Sequence, residues 1–109
     1  MPTILITGTS TGFGRETARL FLERDWDVIA TMRNPSTDVL PASPRLRIVP
    51  LDVTDDASIA RAVEASGPVD ALVNNAGVGL LNALEGSLPA SIKTVFETNT
   101  LGTIAVTQA

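Results

Sequence analysis

Residues 7–14 read Thr-Gly-Thr-Ser-Thr-Gly-Phe-Gly and concentrate more potential chemistry than any other stretch of the chain. Gly8, Gly12 and Gly14 can take positive φ and let the backbone come close to a bulky anion. A helix starting there would offer its unpaired N–H groups to a diphosphate. Thr9, Ser10 and Thr11 add hydroxyl donors around the same point, and Phe13 stands between the last two glycines. A strand-to-helix turn without a ligand would use the same glycines, so the context has to decide. A nucleoside-triphosphate loop fits less well: it ends in Gly-Lys-Ser/Thr, whereas Gly14 is followed by Arg15 and Glu16.

Two further groups bear polar chemistry. Asp52 can accept a hydrogen bond from an exocyclic amine, or can cap a turn with Thr54. In Asn74-Asn75-Ala76-Gly77, Asn74 can tie neighbouring strands through both ends of its amide, while Ala76 and Gly77 leave room for a ribose. A plain turn is the alternative, because Asn and Gly both tolerate positive φ.

The elements that must position these residues follow a βαβ rhythm. A nearly continuous β-branched run over 3–7 predicts a strand buried on both faces, and the glycine-rich turn 8–14 follows it. Helical spacing of Ala18, Phe21 and Leu22 predicts a helix over 15–24, with a second strand over 27–32. Residues 34–44 contain Pro35, Pro41 and Pro44 and read as loop with at most one helical turn. A third strand over 47–51 includes Pro50, which favours the edge of a sheet. Asp55 or Asp56 can cap a helix over 57–65, which Gly67-Pro68 ends. A fourth strand covers 69–74 and a loop 75–88. Ser87 then caps a helix with Pro89 at its start, and Ile92, Val95, Phe96, Leu101, Ile104 and Ala105 keep its pattern going to the last residue. The expected fold is α/β, a Rossmann-like doubly wound parallel sheet. Gly8, Asp52 and Asn74 all fall at carboxyl ends of its strands, where ligands of such sheets lie.

Composition narrows the function. The 109 residues suit one domain, and a net charge of −4 argues against nucleic acid or an anionic membrane as partner. Cys and His are both absent, which excludes disulfides, thiolate chemistry and a Cys/His metal site, and no metal is expected. The opening apolar run is too short for a signal peptide, and the uncharged stretch 98–109 is broken by Asn99, Gly102 and threonines, so cytoplasmic residence is expected.

The motifs together resemble the short-chain dehydrogenase/reductase family. Residues 7–14 match its Thr-Gly-x-x-x-Gly-x-Gly pattern at every fixed position, and its Asn-Asn-Ala-Gly motif stands intact at 74–77. Asp52-Val53 matches the family pair that holds the adenine, and Asn99 lies 25 positions beyond Asn74, where the family has an asparagine that organises a proton-relay water. The glycine spacing suits the shorter, single-domain branch, and the resemblance implies the strand order 3-2-1-4. The resemblance implies that Gly8, Thr9, Ser10, Thr11, Gly12, Phe13, Gly14, Asp52, Val53, Asn74, Ala76 and Gly77 bind a pyridine dinucleotide.

Cofactor choice follows from one corner. An acid at the end of the second strand would bind a ribose 2′-hydroxyl, but alignment places Met32 there, 24 residues past Gly8, with Arg33 next. Arg33 can pair with a 2′-phosphate, so NADP(H) is expected over NAD(H), an exposed loop arginine being the alternative. A methyltransferase of similar fold is disfavoured by the same lack of an acid.

Family members pass a proton through a tyrosine assisted by a lysine and a serine. This chain has no tyrosine, and Lys93, its only lysine, precedes that region. Of the family's catalytic group only Asn99 has a counterpart. The expectation is therefore a cofactor-binding half-domain over 1–109, catalytically incomplete, of an oxidoreductase moving hydride between nicotinamide and a carbonyl or alcohol carbon. An open fourth strand and an uncovered last helix would make it marginally stable and prone to self-association. The alternative is a non-catalytic NADP(H)-binding or association module.

Overall fold

The computed structural model describes residues 2–36, 39–77 and 89–109. Four strands, β1 (Thr3–Ile6), β2 (Asp27–Met32), β3 (Leu46–Pro50) and β4 (Ala71–Val73), form one sheet in the order β3-β2-β1-β4. Every pairing is parallel, with Leu5 opposite both Ile29 and Leu72, and Ile29 opposite Arg47. The expected class and strand order hold. β3 lies at the sheet edge, where Pro50, without an N–H to donate, is tolerated.

Side chains alternate across the sheet, and each face builds a core. Ile4, Ile6, Val28 and Ala30 pack with Ala18 of α1 (Gly12–Glu23) and with Leu40. On the other face Leu5, Ile29 and Val49 meet Ile59 and Ala62 of α2 (Asp56–Ser66), together with Val106. Helices on both faces make the sheet doubly wound and explain why β2 is buried almost throughout.

Several boundaries differ from the sequence reading. α1 begins at Gly12, three residues before the expected start, because the second half of the glycine motif already belongs to the helix. β3 is shifted back by one residue, and β4 is shortened to three. The β2–β3 connection shows no helix among its described residues, as its prolines suggest. The cap expected at Ser87 and most of the loop 75–88 lie outside the described residues.

After Pro89 the chain forms one helical rod in three parts: α3 (Pro89–Phe96), a π-helical turn (Glu97–Gly102) and α4 (Thr103–Gln108). Sequence periodicity could not show the widened turn. It falls where Gly102 lies against Val53, so closely that a Cβ there would come 2.7 Å from a valine methyl. Ile92, Phe96, Leu101 and Ile104 remain exposed on this rod. No helix among the described residues is long and apolar enough to cross a membrane.

Candidate functional site

The carboxyl ends of the strands open onto a cleft of about 510 Å³. Its floor is built around Gly8, φ +69°, which turns the chain from β1 into the loop. A Cβ on Gly8 would sit 2.8 Å from the Ala76 backbone, so both its conformation and its surroundings require glycine. Gly14 serves a different end: a Cβ there would lie 2.2 Å from the Gly8 carbonyl, and its absence lets α1 press its first turn against the loop.

Among the described residues that first turn is short of partners. Thr11, the N-cap residue, makes no side-chain capping bond, and the turn carries no acid. The opening N–H groups of α1 thus keep the partial positive charge of a helix N-terminus at the cleft wall, where Ser10, Thr11, Gly12 and Phe13 lie.

β1 and β4 are joined by a buried hydroxyl. Thr7 Oγ1 accepts from the backbone N–H groups of Asn75 and Ala76, both at 2.9 Å, and Asn75 Nδ2 donates to the Gly8 carbonyl at 3.1 Å. Asn75 therefore makes the strand tie expected of Asn74. Asn74 instead donates to Thr107 Oγ1 in α4, at 3.0 Å, and does not line the cleft. Parity explains the exchange, because consecutive residues leaving a strand point to opposite sides.

Across the cleft, Asp52 Oδ1 accepts from the Thr54 hydroxyl at 2.6 Å and the Thr54 N–H at 2.9 Å. The turn-capping role is thus real, and it still leaves Oδ2 without a hydrogen bond among the described residues. The Thr54 hydroxyl, then its N–H, and after them the Arg33 charge, hold the Asp52 carboxyl below its usual range, against the opposing effect of burial. Asp52 is accordingly an anion and an acceptor at neutral pH, with a cationic neighbour in the same cleft.

Of the residues singled out in the sequence, Gly8, Ser10, Thr11, Gly12, Phe13, Arg33, Asp52, Val53, Ala76 and Gly77 line this cleft together. Thr9 does not. Its side chain is fully buried and donates to the Thr31 carbonyl, outside the cleft lining. Gly14, which is buried, and Asn99, which is exposed, do not line the cleft either, although Asn99 places its side-chain oxygen 3.1 Å from where a Cβ of Gly77 would be. The sequence reading missed Thr7 and Asn75, both inside the quoted motifs but with their neighbours given the work. It also missed Thr94, Glu97 and Thr98, which form the far wall. Their i, i+3, i+4 spacing was an available signal of one polar helix face.

The family model described as short chain dehydrogenase matches residues 2–109. The chain belongs to the short-chain dehydrogenase family. It is 36% identical to the 3-ketodihydrosphingosine reductase of Bacteroides thetaiotaomicron over 97% of this chain and 39% of that protein. Among solved structures it resembles the NADPH-bound carbonyl reductase from chicken fatty liver, with TM-score 0.88, 28% identity, and coverage of 99% of this chain and 49% of that one. The 3-ketoacyl-(acyl-carrier-protein) reductase from Brucella melitensis, complexed with NADH, superposes with TM-score 0.89 at 28% identity, over 98% of this chain and 48% of that one. The chain spans about two-fifths of the length of the curated relatives it matches. Of the two solved structures, one holds NADPH and the other NADH.

Proposed function

We propose that this chain is the cofactor-binding part of an NADP(H)-dependent oxidoreductase acting on a carbonyl or alcohol carbon. The observation that carries the reading is the head of α1, whose amides face the cleft without a capping side chain or an acid. A diphosphate supplies the missing acceptor, and the glycine at position 8 admits it. Asp52 Oδ2 remains available to accept from an adenine amine, and the Ala76–Gly77 backbone leaves space for a ribose. Arg33, exposed in the same cleft, offers a guanidinium to a 2′-phosphate. When bound, the nicotinamide would supply the hydride. On this reading Asn99, beside Gly77, is the one residue here that takes part in proton handling.

Calorimetry with NADPH and NADH tests the assignment. Arg33→Ala should weaken NADPH binding about 10-fold and leave NADH nearly unchanged. Equal losses would refute the preference for NADP(H). One second reading is a module that binds NADP(H) without turnover. Both readings expect no turnover from these 109 residues, and a Tyr-x-x-x-Lys sequence following residue 109 in the natural product would exclude the second. The same proposal includes self-association through β4 or the last helix, supported by exposed Leu72, Phe96, Leu101 and Ile104.

A further inference from the structure

Thr9 belongs to the anion-facing loop by sequence, yet the structure turns it inward. Its hydroxyl and its backbone N–H both donate to the Thr31 carbonyl, each at 3.1 Å. Thr31, itself buried, donates its own hydroxyl to the Ile6 carbonyl at 3.0 Å, which fastens this carbonyl group to β1. Thr11, at the head of α1, lies two residues beyond Thr9, and Arg33 lies two residues beyond Thr31. The doubly held carbonyl is therefore the joint between the two parts of the cleft that carry positive charge.

We propose that Thr9 is a positioning residue for cofactor discrimination, its hydroxyl fixing the separation between the α1 amides and Arg33. This rests on the cleft being an NADP(H) site. A single N–H bond leaves the loop free to pivot about the Thr31 carbonyl, whereas a second bond from the same residue removes that freedom. Only a ligand that touches both the α1 amides and Arg33 senses the difference. A dinucleotide with a 2′-phosphate does so; one with a 2′-hydroxyl reaches the amides alone. Thr9→Val keeps the branched shape and leaves the N–H bond to Thr31, so no buried acceptor is stranded.

The test is calorimetry on the full chain with NADPH and with NADH, the fold of each variant being checked by circular dichroism. Thr9→Val should weaken NADPH binding about five-fold and NADH binding by no more than about two-fold. Thr9→Ser, which restores the hydroxyl, should recover the wild-type ratio of the two affinities. Thr9→Ala is measured beside them and should follow the valine variant, so the question is answered even where valine does not pack. In an Arg33→Ala background, Thr9→Val should change NADPH binding by less than about two-fold, because the partner whose position it governs is gone. Equal losses for both dinucleotides, or an undiminished loss in the Arg33→Ala background, would overturn the proposal while leaving the cofactor reading intact. Absence of binding of either dinucleotide to folded wild-type protein would overturn both.

Discussion

α1 and α2 begin in opposite ways. At α2, Asp55 Oδ1 accepts from the N–H groups of Ala57 and Ser58, and Asp56 adds a negative charge to the first turn. At α1, Thr11 makes no such bond and the first turn holds no acid. Both helices start at the carboxyl ends of strands, so position alone does not account for the contrast. One end is completed by the protein, and the other is left with donors facing the cleft. Capping thus separates a helix start closed by its own side chains from one whose first-turn donors stay open to the cleft.

The largest test of this contrast concerns what brings α1 to the cleft at all. Gly14→Ala would drive a methyl group into the Gly8 carbonyl and toward Asn75 Nδ2, so the loop or the helix must move. We expect a loss of about 3 kcal/mol in stability by denaturant unfolding, together with loss of dinucleotide binding. Gly12→Ala is the control. Open space surrounds that position, and only its φ of +60° penalises a side chain, so about 1 kcal/mol should be lost.

A smaller effect comes from exchanging the caps. Asp55→Ala should cost about 1 kcal/mol of stability and leave dinucleotide affinity within about two-fold. Thr11→Ala, which removes no capping bond, should change the unfolding midpoint little while weakening dinucleotide binding about two- to five-fold through loss of a hydroxyl at the cleft. If Thr11→Ala destabilises the fold as much as Asp55→Ala, the two helix starts are not the different structures described above.

The parallel sheet was legible because β-branched runs, a glycine turn and helical spacing all agree on βαβ units, while its strand order came with the family resemblance. The cleft was legible at residue resolution wherever backbone shape decides, as at Gly8 and at Ala76–Gly77. It was not legible where a side chain had two directions to choose from. Thr9 and Thr11 are the same residue type two positions apart, yet one hydroxyl enters the core and the other borders the cleft. The Asn74–Asn75 pair posed the same choice, and nothing in the local sequence tells which amide meets the glycine loop. The π-helical turn was hidden for another reason, since it falls where Gly102 packs on Val53, 49 residues away in the chain.

The finest distinction lies in the turn leading into α2, where the Asp52 carbonyl accepts the Asp55 N–H at 3.1 Å and the Asp52 carboxylate accepts from Thr54. Because the Thr54 hydroxyl is the leading cause of the lowered Asp52 pKa, Thr54→Val should move that pKa up toward the ordinary carboxylate range. A carboxyl more acidic in the folded than in the unfolded chain stabilises the fold fully above its unfolded pKa. That contribution is lost as pH falls through the folded value. The wild type should therefore lose stability across the acid range more steeply than Thr54→Val, with the two curves running parallel near neutrality. Carbon-detected NMR titration of the Asp52 carboxyl, alongside unfolding midpoints at several acidic pH values, measures both effects. An Asp52 titration unchanged by the substitution would mean that the Thr54 N–H and Arg33 hold the anion without the hydroxyl. The acceptor facing the cleft would then be set by the backbone, as the donors at α1 are.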